Sequence, residues 1–242
     1  MDQGANAMIK AVLFDWDTTL AMIGGNVSTS QKLARLLQDQ GFRYSPADIN
    51  EALQLRQETI LAGKLRGKLE PQTRQDILHY YMQFLSILKC PQSDRAFAYR
   101  LYGAFGRLPV LLYEGTLHVL QKLTDMGMTL GLISNTSKSA RAIIEANLKD
   151  YILPGHILIS EEVGVHKPAR TIFRLAAACV ITPAEDCLFV GDNLHVDAIG
   201  AVQQGGYAVG LWIDRKGTGA DLALPKAVHR ISALAELLPF VP

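Results

Sequence analysis

The sequence predicts an α/β protein, an open parallel sheet with a helical block inserted after its first strand. Three observations carry this. From about residue 114 onward, short apolar runs alternate with amphipathic stretches of helical period, the pattern of crossover units around a parallel sheet. The apolar runs are continuous rather than alternating, as expected of strands covered on both faces. One such run, at 10–15, stands apart. It is separated from the rest by a stretch, about Ser28 to Phe105, where Pro and Gly are sparse and helical periodicity persists.

Taken in order, KAVLFD (10–15) reads as a short buried strand ending in an acid. STSQKLARLLQDQG then offers Ser/Thr caps, a Leu33-Leu36-Leu37 stripe and Gly41 as a stop. SPADINEALQLRQETILAG has Ser45 as N-cap, Pro46 in the first turn and Asp48 at capping-box spacing. TRQDILHYYMQFLSIL and SDRAFAYRLYGAF continue the theme. The block therefore holds three or four helices and no strand, and Tyr80, Tyr81 and Phe84 are expected in its core. Further on, GTLHVLQKLTDMG, SARAIIEANL, ARTIFRLAAAC and HVDAIGAVQQG read as helices. MTLGLIS, HILIS, DCLFVGD and YAVGLWI read as strands. Boundaries follow at 1–23 and 105–242 for the sheet core and 24–104 for the helical block.

Composition sets limits. Hydrophobic residues make up 49% of the 242 and charged residues 19%, enough for a sizeable core. A formal charge of +1 gives no basis for a nucleic-acid or anionic-membrane surface. Cys90, Cys179 and Cys187 are odd in number and lack paired spacing, so idle thiols in a reducing cytoplasm are expected. No apolar run approaches a membrane span, and MDQGANAMIK lacks a hydrophobic signal region. The first seven residues look like an unpatterned tail, with Met8 as an alternative start. A cytoplasmic monomer or homodimer is expected.

In open α/β sheets ligands bind outside the carboxyl ends of the strands. Those ends carry Asp15 and Asp17, then Ser134 and Asn135, then Lys167, then Asp192 and Asp197. Only the last strand end, after YAVGLWI, is read as empty. Each feature alone is weak, a helix cap or a turn. Together they suit phosphoryl transfer, which is mainly positioning and charge stabilisation. Asp15 can attack phosphorus as a carboxylate nucleophile. Asp17 can serve as general acid and then base. Two acids this close repel unless a cation is present, and Asp192, with Asp197 beside it, can help hold Mg²⁺, a hard ion that prefers oxygen ligands. Ser134 can hydrogen-bond phosphoryl oxygens, and Lys167 can balance the charge.

These residues resemble the haloacid dehalogenase superfamily of hydrolases. FDWDTTL is similar to its first motif, LISN to its second, GVHKP to its third and VGDNLHVD to its fourth. The resemblance runs from about residue 9 to 240. It implies a Rossmann-like, doubly wound parallel core with an inserted all-α cap domain, as in the phosphoglycolate-phosphatase-like group. Carried over, Asp15 is nucleophile and metal ligand. Asp17 is general acid/base, with its backbone carbonyl on the metal. Ser134, Asn135 and Lys167 meet the phosphoryl group, Asp192 binds Mg²⁺, and Asp197 and Thr19 lie behind these groups. An acid at Asp17 favours phosphate esters, because the dehalogenases lack one there. The implied partner is a small phosphorylated metabolite, and the implied activity is a Mg²⁺-dependent phosphatase. A phosphomutase and a catalytically silent phospho-acceptor or binding protein on the same fold remain open.

Three positions depart from the family pattern. Thr18 stands where Gly is common, Met22 where an acid is frequent, and Ala169 follows Pro168 where an acid is common. Because a β-branched residue tolerates positive φ poorly, the turn at Thr18 is expected to use ordinary dihedrals. Trp16 is expected in the core and His166 and His195 as loop bystanders. Arg56, Lys64, Arg66 and Lys68 are read as a solvated charged face rather than as contacts to an anionic substrate.

Overall fold

The structure is a computed structural model that describes residues 8–69, 71, 73–219 and 222–242; the tail at 1–7 lies outside them. Its frame is a six-stranded sheet in the order β5-β4-β1-β6-β7-β8. The strands are β1 (Ala11–Phe14), β4 (Thr129–Ser134), β5 (Ile157–Ile159), β6 (Cys187–Gly191), β7 (Val209–Ile213) and β8 (Val228–Ile231). Every neighbouring pair is parallel. The first strand thus lies in the middle, where the strand order turns back, and a crevice opens at such a reversal. Phe14 sits beside Leu132 on one side and Val190 on the other. The next residue, Asp15, still donates its N–H to Val190 O at 2.9 Å.

Sequence alternation within β1 divides the core. Val12 and Phe14 join the cluster that contains α5 (Thr116–Asp125) and α6 (Arg141–Leu148) through Val119, Leu120, Leu123, Ile144 and Leu148. Ala11 and Leu13 face the opposite cluster, with Ile172, Phe173 and Ala176 of α8 (Arg170–Cys179). All four β1 side chains are fully buried. Short α7 (Ser160–Val163) follows β5 directly, so HILIS is a three-residue strand whose serine already starts a helix. HVDAIGAVQQG lies in α9 (Leu194–Gly205), a helix of π type. It packs hard on β7: a Cβ at Gly210 would come 2.2 Å from Ala198 O.

Four helices lie between the first strand and the rest: α1 (Thr29–Asp39), α2 (Pro46–Leu61), α3 (Arg74–Ile87) and α4 (Arg95–Phe105). Ser28 and Ser45 form the two capping boxes, with Gln31 and Asp48 as partners. Leu33, Leu36, Leu37, Tyr81 and Phe84 are buried, with Tyr80 packed partly exposed against them. The chain enters and leaves this insert through an antiparallel pair, β2 (Ala21–Ile23) with β3 (Val110–Leu112), in the register Ala21–Leu112. Neither strand is evident in the sequence, nor is β8, because three or four residues are too few to show a period.

Two expectations need correction. Arg56 is not on a solvated face but 3% exposed, stacked 4.3 Å from the Tyr80 ring centre and bonded to Gln83 and Lys68 O. His195, read as a loop residue, is instead exposed in the first turn of α9, while His166 is buried in the loop before Lys167. Trp16 is buried, and all three cysteines are free. Among the described residues no helix is long and apolar enough to cross a membrane.

The close approach of α9 to β7 makes a strong prediction. Gly210→Ala puts a methyl group into a backbone carbonyl, at or above the upper end of overpacking costs, about 3 kcal/mol. Thermal or urea unfolding should show a loss of this size, or the variant should fail to accumulate; an unchanged midpoint would contradict the packing.

Candidate active site

The sheet edge brings the expected residues together. At its centre is Lys167, 2% exposed, with its Nζ 2.7 Å from both Asp15 Oδ1 and Asp197 Oδ1. Burial opposes the ammonium charge, but Asp15 and Asp197 together outweigh it, so the Lys167 pKa is raised. Thr19 Oγ1 donates to the other Asp15 oxygen at 3.1 Å. Asn135 grips the lysine backbone from both sides: its Nδ2 donates to Lys167 O at 2.9 Å, and its Oδ1 accepts from Lys167 N at 2.8 Å. Its amide thus places Lys167, and the residue also lines the cavity. Ser134, 3% exposed at the end of β4, lines the cavity above Asp15.

Asp192, Asp197 and Asp15 each offer an oxygen, and the three lie within 4.8 Å of one another. Burial pushes Asp192 up to about 7, helped by the charges of Asp15 and Asp197. Burial also pushes Asp197 up to about 6, against the pull of Lys167. Asp197 Oδ2 accepts from Asn193 N at 3.0 Å. Gly191 leaves room for it, since a Cβ there would meet the Asp197 side chain at 2.4 Å. An all-oxygen cluster whose acids repel one another is the donor set a hard divalent cation fits. Asp15 and Asp192 are the better candidates, because Asp197 is already paired with Lys167.

The side chain of Asp17 stands outside that cluster. Its Oδ1 accepts from Ile23 N at 3.1 Å, and Lys32 Nζ lies 3.7 Å from its Oδ2. Both partners belong to β2 and α1. Burial raises the Asp17 pKa, partly countered by Lys32. Its backbone carbonyl, the other group assigned to a metal, accepts from Thr18 Oγ1 at 2.6 Å.

Thr18 overturns the expectation of ordinary dihedrals: its φ is +62°. Left-handed backbone at a β-branched residue costs about 1–3 kcal/mol and persists only when the surroundings fix it. The fixing group is Arg215, which sequence reading missed. Its guanidinium donates to the carbonyls of Thr18 and of Thr19, the latter at 2.7 Å, and lies 3.8 Å from the Tyr113 ring centre. Arg215 follows β7, the strand whose end was read as empty. The same carboxyl-end rule that picked the other residues would have reached it.

Above these groups is a cavity of about 440 Å³. Its floor is the charged sheet edge, and its walls include Ile23, Ile77, Tyr80, Tyr81, Tyr102 and Phe105 from the segments around and within the insert.

The haloacid dehalogenase-like hydrolase family matches residues 9–205. The chain belongs to that family. A glyceraldehyde 3-phosphate phosphatase of Pyrococcus abyssi is 28% identical over 202 residues, covering 82% of this chain and 79% of that protein. An (S)-2-haloacid dehalogenase of Pseudomonas putida is 30% identical over 125 residues, covering 52% of this chain and 54% of that protein. Among solved structures, the magnesium-bound HAD-hydrolase YfnB of Bacillus subtilis superposes with a TM-score of 0.70. It is 21% identical and covers 97% of this chain and 99% of that one; this likeness supports the fold.

The raised acids of this hydrolase predict how its stability depends on pH. A carboxyl with a folded pKa above its unfolded value binds more protons when folded, so stability falls as pH rises through that interval. For Asp192 the interval runs from 3.8 to about 7. In EDTA, the thermal midpoint should decline between about pH 4 and pH 7, and Asp192→Asn should flatten the decline. A wild-type midpoint that rises over this range, or an unchanged slope in the variant, would contradict the assignment.

Proposed function

We propose that this haloacid dehalogenase-like hydrolase is a Mg²⁺-dependent phosphatase of a small phosphorylated metabolite, acting through a phosphoaspartate on Asp15. The observation that carries the reading is the Asp15 carboxylate at the sheet's reversal point. It is held by Lys167 on one oxygen and Thr19 on the other, with a second acid, Asp17, two residues away on the same cavity.

In the first half-reaction an oxygen of Asp15 bonds to phosphorus as the ester P–O bond breaks, and Asp17 passes its proton to the departing alkoxide. The raised pKa of Asp17 suits it to hold that proton nearer neutrality. In the second, Asp17 takes a proton from the attacking water, the Asp15–phosphorus bond breaks, and inorganic phosphate leaves. Ser134 donates to phosphoryl oxygens. Lys167 offsets the charge that builds around Asp15, and Asn135 keeps Lys167 in place. When bound by Asp15, Asp192 and the Asp17 carbonyl, Mg²⁺ supplies further charge neutralisation. Residues 24–104 act as a cap over the site, and the contacts of Asp17 with Ile23 and Lys32 join the acid to it.

The related dehalogenase poses the alternative. A halide leaves as a stable anion and needs no proton, whereas an alkoxide does. A half-buried acid of raised pKa at Asp17 therefore favours ester cleavage.

A panel of phosphate monoesters, assayed for released phosphate with Mg²⁺ and with EDTA, is the test. Wild type should release phosphate only with the metal. Asp15→Asn should fall at least about a thousandfold. Asp17→Asn should fold normally and slow turnover by about 10²–10⁴. Full activity in Asp15→Asn would end the proposal, and an isomerised sugar phosphate without free phosphate would make the protein a mutase.

A further inference from the structure

Charge is distributed very unevenly around the cavity. The described lining residues include four carboxylates and one ammonium, Asp15, Asp17, Asp192, Asp197 and Lys167, all from the sheet edge. Facing them from the insert are Leu69, Ile77, Tyr80, Tyr81, Tyr102 and Phe105. The tyrosines form a continuous aromatic surface, with ring centres 5.4 Å apart for Tyr80 and Tyr81 and 5.9 Å for Tyr81 and Tyr102.

Four basic residues of the insert have partners outside the cavity or at its rim. Arg56 packs against Tyr80 and bonds to Gln83 and Lys68 O. Lys68 pairs with Asp76. Arg74 pairs with Glu161 and lies over the Tyr99 ring. Lys32 is held beside Asp17 and the Phe105 ring. None of them is among the lining residues. Lys167, which is, lies between Asp15 and Asp197.

From this we infer that the substrate is a phosphate monoester of an uncharged alcohol with an apolar or aromatic body, the phosphate being its only anionic group. The inference rests on the phosphatase reading and deepens it. A carboxylate or second phosphate on the leaving group would be desolvated against a wall that offers tyrosine hydroxyls but no cation among its described residues, and would face a floor rich in carboxylates. An apolar body instead gains by burying its surface. The volume, about 440 Å³, is toward the lower end of ligand pockets, about 300–1,000 Å³, so the alcohol is small. Phosphoglycolate, the substrate that the likeness of the insert suggests, carries the wrong second charge.

The experiment compares kcat/KM for butyl and benzyl phosphate with that for phosphoglycolate and 3-phosphoglycerate. The uncharged pair should be favoured at least about tenfold, the scale of a methylene in an apolar pocket. Binding without turnover is read separately by calorimetry: benzylphosphonate should bind at least about tenfold more tightly than phosphonoacetate. Ile77→Lys, which places an ammonium on the wall, should move the kcat/KM ratio at least about tenfold toward phosphoglycolate. Hydrolysis of the four esters with the anionic pair equal or preferred would overturn this inference and leave the phosphatase standing. If no ester in any panel is hydrolysed, the phosphatase reading itself fails. A folded Ile77→Lys protein with an unchanged ratio would also overturn the substrate class.

Discussion

A buried ammonium organises this molecule. Lys167 lies under the carboxyl end of the sheet, away from solvent, and a charge there is tolerable only with close partners and good geometry. Much of the surrounding sequence supplies them. Asp15 comes from the end of β1 and Asp197 from the first turn of α9. Asn135, after β4, fixes the lysine's backbone. Gly191 lacks a side chain where Asp197 must pass, and Asn193 N anchors the other oxygen of that acid. Three strand ends and one helix start are held in register by satisfying one cation. Removing a partner would leave a buried charge uncompensated, a larger loss than the net worth of the pair.

A second clamp acts on the loop after Asp15. Thr18 adopts a backbone that its side chain disfavours, and Arg215 holds the carbonyls on either side of the Thr18–Thr19 link while Tyr113 covers the guanidinium. The far end of the sheet thus helps fix the segment next to Asp15. The insert contributes something different, an aromatic and aliphatic wall with Arg56, Lys68 and Arg74 turned to other partners. The charged groups of the cavity belong to the sheet edge, and the insert supplies much of its apolar and aromatic wall.

Much of this was legible in the sequence because strand ends are read by type and order. Asp15, Ser134, Lys167, Asp192 and Asp197 all face one cavity, and the two capping boxes and the leucine stripe of α1 stand where spacing put them. The misses have physical causes. Thr18 followed a sound local preference that tertiary hydrogen bonds override. Arg56 is charged but amphipathic, and a guanidinium can be buried flat on a ring. The hold of Asn135 on Lys167 is not visible in the sequence, because the two lie 32 residues apart. Strands β2, β3 and β8 are too short for any periodicity to reveal.

The β2–β3 pair also bears on how the chain finds its fold. To form the sheet, Ala11 must meet Thr129, 118 residues on. The 87 steps from Ile23 to Val110 are bridged by that antiparallel pair, so an insert that has already folded leaves a loop of about 31 steps to close. Closure entropy grows with the logarithm of loop length, and this shortening is worth about 1 kcal/mol. The hairpin therefore favours an order of events in which the helices gather first and the central strand docks afterwards between neighbours that arrive much later in the chain.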